Sequence, residues 1–348
     1  MKQPVIFEME TSDPDDFLTL CWLADHPELD LVAVVATPGG RDQCQLARWA
    51  LNACGKPNVP IGTTRGEVWW KTTDGQKPRV SAWHYTTFGD QIRSYAYDAV
   101  ELGADLIVRQ LTAFPNATLL VGSAPKATHA ALARPDAPKL QRWVQQGFFA
   151  GDNLVAPEHR LEKFKGRLTC PSFNPGGAPR ESLELLANPD VTRKVLVSKN
   201  VCHGVRWTYA LRRKVMNRLE VDDGGAILRG ADLVSGVPTF TTERPVITRA
   251  GMREGLRLML LGLDAYLTRG AEPDPNIPWE MSSERDGQGK AMHDLVAAAV
   301  VLDESVCTFE EVEVYRERGE WGARAKQLTN TFISVAFDEN NFVEVLLH

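Results

Sequence analysis

The stretch of chain that decides the fold reads VIFEMETSDPDDFLTLCWLADHPELDLVAVVA, residues 5–36. Its first three residues are apolar, and its last six form a continuous apolar run rich in valine. Such a run is typical of a parallel strand that is buried on both faces. Between the two runs, the apolar residues of 17–24 recur at helical spacing. The stretch therefore predicts a β-α-β unit, the repeating element of a parallel sheet.

The same alternation continues along the chain. A helix at 45–54 and a strand at 59–61 extend the opening to β-α-β-α-β. Further strands are expected at 117–121, 143–149 and 194–198, and further helices at 96–114, 127–132, 180–186, 209–219, 253–267 and 293–302. Residues 307–345 alternate like antiparallel strands. We therefore expect one α/β domain over residues 1–348, with a doubly wound, mostly parallel sheet flanked by helices and a small β-rich extension at 306–348.

Two irregular segments interrupt this pattern, at 62–95 and 270–290. Long segments without regular structure in a compact domain are usually functional, and we expect both to cover a substrate. The first contains several aromatic side chains, among them Trp83 and His84. These two residues are candidates for stacking on a nucleobase, but they fit equally well as packing residues of the loop or of a subunit interface.

Composition argues against several classes of protein. A net charge of −6 does not favour a nucleic-acid binder or a protein held on an anionic membrane. No apolar run reaches the roughly 18 residues that a membrane-spanning helix needs. The six cysteines include no CxxC pair, which indicates reduced thiols rather than a disulfide framework or a zinc site. The chain is therefore expected to be cytoplasmic, with no nucleic-acid or membrane partner.

An acidic segment follows the first predicted strand. Residues 8–16 hold five carboxylates, Glu8, Glu10, Asp13, Asp15 and Asp16. They fall at the carboxyl end of a parallel strand, where open α/β sheets bind ligands. Crowded carboxylates raise one another's pKa, and a hard cation such as Ca²⁺ relieves the repulsion by taking several oxygen ligands. The alternative is an acidic turn in which Asp15 and Asp16 favour the start of the next helix.

A second polar group opens the late helix. Met292-His293-Asp294 precedes the apolar residues 295–300, which places a histidine and a carboxylate at a helix start. Such a pair can face a crevice and take part in chemistry. The alternative is a helix cap formed by the aspartate, with an incidental histidine.

Taken together, these segments resemble the inosine-uridine preferring nucleoside hydrolase family. The family's first motif reads Asp-x-Asp-Pro-Gly-x-Asp-Asp, and its late motif reads His-Asp-Pro-Leu-Ala. Residues 34–40, 121–127, 166–174 and 201–203 are similar, in order, to the family segments Thr-x-x-Gly-Asn, Gly-Pro-Leu-Thr-Asn-Leu, Gly-Asn-Val-Thr-Pro-x-x-Glu-Phe-Asn and Val-Thr-His. The resemblance spans about residues 4–305.

This resemblance implies hydrolysis of the N-glycosidic bond of a ribonucleoside, with one Ca²⁺ per chain and a homodimeric or homotetrameric assembly. The implied metal ligands are Glu10, Asp16, the carbonyl of Pro125, and Asp294. Glu10 would also deprotonate the attacking water, and His293 would assist the departing base. Asp15 and Asn174 would hold the ribose hydroxyls. The family's asparagine after strand two falls at Gly40 or Arg41, which makes Gly40 a further substrate-binding candidate.

The departures from the family pattern leave two alternatives open. Glu8 and Glu10 replace two aspartates in a loop that is one residue longer and lacks its glycine, so the chain is alternatively an impaired binding protein of the same fold. Arg167 and Ser172 replace an asparagine and a glutamate near the substrate's 5′ end. Arginine binds phosphate through charge-assisted hydrogen bonds, so the substrate is alternatively a 5′-phosphorylated or otherwise modified N-glycoside.

Overall fold

A computed structural model describes residues 1–65, 79–97, 100–219, 252–269 and 289–348. The strands of the described residues are β1 (Gln3–Met9), β2 (Leu29–Ala36), β3 (Ile61–Thr63), β4 (Glu101–Leu102), β5 (Thr118–Val121), β6 (Leu140–Gln146), β7 (Thr169–Cys170), β8 (Val191–Val197), β9 (Arg206–Trp207), β10 (Lys290–Ala291), β11 (Cys307–Glu317), β12 (Glu320–Ala325) and β13 (Thr331–Phe337). The helices are α1 (Pro14–Asp25), α2 (Arg41–Ala53), α3 (Ala82–Phe88), α4 (Gly103–Ala113), α5 (Lys126–Leu132), α6 (Phe173–Gly176), α7 (Pro179–Ala187), α8 (Lys199–Cys202), α9 (Tyr209–Arg218), α10 (Glu254–Arg269), α11 (His293–Leu302) and α12 (Glu339–Leu347).

Eleven of these strands form one sheet, in the order β4-β3-β2-β1-β5-β6-β8-β13-β11-β12-β7. Neighbouring strands from β4 to β13 are parallel. The last three pairings, which involve β11, β12 and β7, are antiparallel. The predicted α/β class, with a mostly parallel sheet flanked by helices, is therefore confirmed.

Apolar side chains pack on both faces of this sheet. On β1, Val5 and Phe7 belong to one buried cluster and Ile6 to the other, which explains why its apolar run does not alternate with polar residues. No helix among the described ranges combines the length and the apolar character needed to cross a bilayer.

Two details differ from the sequence-based expectation. The irregular segment 62–95 contains the helix α3, and residues 66–78 lie outside the described part of the chain, as do 270–288 of the second segment. The helix expected at 96–114 begins only at Gly103, after the short strand β4. Gly103 lies so close to β2 that an added Cβ would be 2.6 Å from Val35 Cγ1, so a larger residue at the start of this helix would have to displace the Val35 side chain.

The C-terminal residues also differ in part. The extension is β-rich as expected, and β13 joins the main sheet by pairing with β8. However, the chain ends in the helix α12 rather than in a strand. Asp338 caps this helix by accepting hydrogen bonds from the backbone N–H groups of Asn340 and Asn341.

The helix α11 is fastened to the sheet at its C-terminal end. The guanidinium of Arg142, on β6, donates to the carbonyls of Val300 at 2.6 Å and Val301 at 2.7 Å. It also pairs with Glu304 at 2.9 Å. Carbonyls in the last turn of a helix have no partner within the helix, so this arginine satisfies two of them and fixes the position of α11.

Replacing Arg142 with methionine should lower the free energy of unfolding by about 2 kcal/mol, because two buried carbonyls lose a charged donor. Thermal and urea denaturation would measure the loss. Arg324→Met is the matched control, since Arg324 pairs with Glu313 at an exposed position. Equal stability of the two variants would contradict the anchoring role of Arg142.

Candidate active site

A pocket opens where the parallel strands β1, β5, β6 and β8 end. It is lined by Glu10, Asp13, Asp15, Asp16, Gly122, Gln146, Ser172, Phe173, Asn174, Lys199, His203, Arg206, Ala291, His293 and Asp294. The carboxyl edge of a parallel sheet is the usual ligand site of this architecture, because loops from several strands meet there.

Three buried carboxylates meet at the bottom of the pocket. Oxygen atoms of Asp15, Asp16 and Asp294 lie within 4.8 Å of one another. Backbone hydrogen bonds hold them together, since Asp15 Oδ2 accepts from the N–H of Asp294 at 3.0 Å and Asp16 Oδ1 accepts from the N–H of Glu10 at 2.9 Å. The start of α11 is thereby attached to the start of α1, across 279 residues of sequence.

The electrostatics of this group fit a divalent cation. Burial, followed by repulsion from neighbouring carboxylates, raises the pKa of Asp16 and of Asp294 well above the usual range. Asp294 Oδ1 is buried and accepts no hydrogen bond from any residue that the structure describes. Gly122 leaves room for this atom, because an added Cβ would lie 2.8 Å from it. An orphaned, buried carboxylate oxygen in an acidic cluster is the donor that a hard cation requires.

Glu10 lies in the same pocket but outside this group of oxygens. Among the described residues, the acidic and histidine side chains with ligand atoms within 4.8 Å of one another form two groups, Asp15 with Asp16 and Asp294, and Asp13 with Asp15 and His293. Burial, and then the charges of Asp13 and Asp15, raise the pKa of Glu10 to about 8. A carboxyl group with this pKa titrates near neutral pH, which suits proton transfer.

The sequence did not reveal Lys290, which lies in the strand β10 and is fully buried. Its Nζ is 2.7 Å from Asp13 Oδ1 and 3.8 Å from Asp15 Oδ1, and it donates to the carbonyl of Ala291. The pairing of β10 with β9 places this lysine beside the acidic cluster. Lys290 therefore supplies a fixed positive charge that offsets part of the carboxylate repulsion.

Two histidines stand together in the pocket wall. The rings of His203 and His293 are 4.4 Å apart, with an angle of 38° between their planes. Both residues line the pocket. Burial, and then the charge of His293, lower the pKa of His203 well below the usual value, so its ring is neutral at pH 7. His293 Nδ1 lies 3.8 Å from Asp15 Oδ2.

Asn174 also lines the pocket, at the start of α6. Its Nδ2 donates to the carbonyl of Gly122 at 2.8 Å and to Gln146 Oε1 at 2.6 Å. These bonds fix which way the amide faces and bring a second residue, Gln146, into the pocket wall. The fixed amide suits recognition of a polar substrate, since little conformational freedom is lost on binding.

Five site residues that the sequence predicts are not among the residues that line this pocket. His84 is fully buried and packs its ring against Phe17 at 5.5 Å, and Trp83 packs against the same core. Burial lowers the pKa of His84 to about 4. Neither residue lines the pocket, so the structure places them as packing residues rather than as a stacking surface.

The other three are Gly40, Pro125 and Arg167. Gly40 precedes α2, where its N–H donates to Gln43 Oε1 at 2.8 Å. The carbonyl of Pro125 accepts from the N–H of His129 in the first turn of α5 and does not line the pocket. Arg167 is exposed on a turn outside the pocket wall.

The fold was compared with known proteins. No family model and no curated protein sequence matches the chain. Among solved structures, a plant nucleoside hydrolase has a TM-score of 0.59 and 14% identity, covering 100% of this chain and 98% of that one. An inosine-uridine preferring nucleoside hydrolase from Bacillus anthracis has a TM-score of 0.59 and 13% identity, covering 99% and 98%. A purine-preferring ribonucleoside hydrolase from Gardnerella vaginalis has a TM-score of 0.57 and 13% identity, covering 99% and 97%. The chain therefore has the fold of the nucleoside hydrolases over its full length.

Lys290→Met should lower the free energy of unfolding by about 3 kcal/mol in the presence of a chelator, because buried carboxylates lose their charge partner. Urea denaturation would measure the change. The matched control is Lys194→Met, which removes another buried lysine whose Nζ donates to the carbonyl of Val191. If both variants lose the same stability, Lys290 does not compensate the acidic cluster.

Proposed function

We propose that this protein is a metal-dependent hydrolase that cleaves the N-glycosidic bond of a ribonucleoside and releases the free base and the sugar. The observation that carries the proposal is the buried group of Asp15, Asp16 and Asp294, which lies beside Glu10, His293 and Asn174 in one pocket. The full-length likeness to nucleoside hydrolases supports the same reaction.

In this proposal, Asp16, Asp294 and Asp15 hold one Ca²⁺. Calcium accepts six to eight oxygen ligands and tolerates irregular geometry, so a cluster of carboxylates suits it. A cation bound there lowers the pKa of a nearby water and neutralises part of the negative charge. The carbonyl of Pro125 belongs to the helix start of α5, and its contribution to this set remains a prediction.

The protein's own residues then perform the remaining steps. Glu10 takes the proton from the attacking water, and the water oxygen bonds to the anomeric carbon as the carbon–nitrogen bond breaks. The departing base keeps the electrons of that bond and accepts a proton. His293, which lines the same pocket, donates this proton. Asn174 and Asp15 hold the sugar hydroxyls, and the surrounding carboxylates stabilise the positive charge that develops on the ring.

One observation favours a second candidate, a ligand-binding protein of the same fold with impaired catalysis. Glu10 does not share the oxygen group of Asp16 and Asp294. A base held away from the cation would reduce catalysis and leave the binding of sugar and metal intact.

A nucleoside panel separates the two candidates. Chelator-treated protein should release base and ribose from at least one of inosine, uridine, adenosine, guanosine and cytidine only after Ca²⁺ is restored. Asp16→Asn should lower kcat by about 100-fold or more. Asp136→Asn, at an exposed ion pair, is the control and should keep the wild-type rate. Full activity in excess chelator would contradict the metal role, and binding of nucleosides without release of base would establish the second candidate.

A further inference from the structure

We propose that the rim of this pocket, formed by Lys199, His203 and Arg206 with Lys163 behind them, binds a phosphate monoester on the substrate. The inference rests on the proposed function and specifies its substrate class. The acidic cluster and the basic side chains Lys199 and Arg206 line the same pocket, so the complementary ligand carries both sugar hydroxyls and a dianion.

The cations are brought together by elements that are distant in sequence. Lys199 begins α8 and donates to the carbonyl of Pro171 at 2.7 Å. Lys163 Nζ is 3.0 Å from Nδ1 of His203. Both ammonium groups lie over the ring of Phe164, at 5.6 Å for Lys199 and 5.1 Å for Lys163. Arg206 belongs to β9, and its guanidinium donates to the carbonyl of Gly289.

These positive charges act on one another. Partial burial, and then the charges of Lys199 and Arg206, lower the pKa of Lys163. Among the described residues, no carboxylate lies within 4.0 Å of the ammonium of Lys163 or of Lys199, whereas Lys290 is tied to Asp13. Neither lysine therefore forms an ion pair with the acidic cluster. Their mutual repulsion is relieved when an anion binds between them.

A phosphate monoester fits this rim better than a singly charged group does. It carries a charge of about −1.5 to −2 at neutral pH and offers three acceptor oxygens. Lys199 and Arg206 both line the pocket, and charge-assisted hydrogen bonds from lysine and arginine to phosphate are among the strongest in proteins. The sequence had suggested Arg167 for this task, but Arg167 is exposed outside the pocket, and the cations that line it come from other segments.

Calorimetry with sugar probes tests the rim without requiring turnover. Ribose, ribose 5-phosphate and riburonate are titrated into the full-length protein in the presence of Ca²⁺. Wild type should bind ribose 5-phosphate at least about tenfold more tightly than ribose, with riburonate between them. Lys199→Gln should reduce this preference about tenfold, and Lys199→Arg should retain most of it. Lys139→Gln, at an exposed ion pair with Asp190, is the matched control and should leave it unchanged.

Equal affinity for ribose and its 5-phosphate in wild type would overturn the inference, and so would a preference that survives in Lys199→Gln. Riburonate binding as tightly as the phosphate would show that the rim recognises a carboxylate instead. A failure of this inference can be distinguished from a failure of the proposed function. Cleavage of nucleosides without a phosphate preference would refute only phosphate binding at the rim. Tight sugar-phosphate binding without any glycosidic cleavage would refute only the proposed hydrolase activity.

Discussion

The structure depends on how the fold offsets the cost of burying several carboxylates at the carboxyl end of β1. Carboxylates in such proximity repel one another, and burial away from water makes the repulsion more costly. Two features of the chain offset this cost. The hydrogen bond from the N–H of Asp294 to Asp15 fixes the first and last polar segments together, and the ammonium of Lys290 lies against Asp13. Neither of them satisfies Asp294 Oδ1, and this unsatisfied atom is the strongest indication that a cation completes the site.

The fold provides the rigidity that such a site needs. The central strand β1 has parallel neighbours on both sides, and its side chains are buried in two apolar clusters. The helix α11 carries Asp294 and His293 at one end and is fastened to β6 through Arg142 at the other. The proposed metal ligands Asp15, Asp16 and Asp294 therefore lie in the first turns of helices that have little freedom to move. Glu10 lies in the loop between β1 and α1, next to the first of these helices.

The sequence was sufficient for features that are encoded locally. The apolar run of β2, the acidic segment after β1 and the polar start of α11 each lie within a few consecutive residues, so each can be recognised from the sequence alone. Lys290, Lys199 and Arg206 could not be recognised in this way, since a single basic residue in an irregular segment has no distinguishing pattern. Their roles arise only from pairings such as β9 with β10, which join distant parts of the chain. Trp83 and His84 illustrate the opposite difficulty, because an aromatic cluster in the sequence does not reveal whether it faces a pocket or packs against a core residue such as Phe17.

We propose that Asp15, Asp16 and Asp294 hold a divalent cation in exchange for protons. Calorimetric titration of Ca²⁺ into chelator-treated protein tests it most directly when repeated at pH 7 in buffers of different ionisation enthalpy. Because the pKa values of Glu10, Asp16 and Asp294 are raised, the site should release protons as the metal binds. We expect one Ca²⁺ to bind per chain, with a binding heat that depends on the buffer. Absence of saturable binding, or a heat that is the same in every buffer, would contradict it.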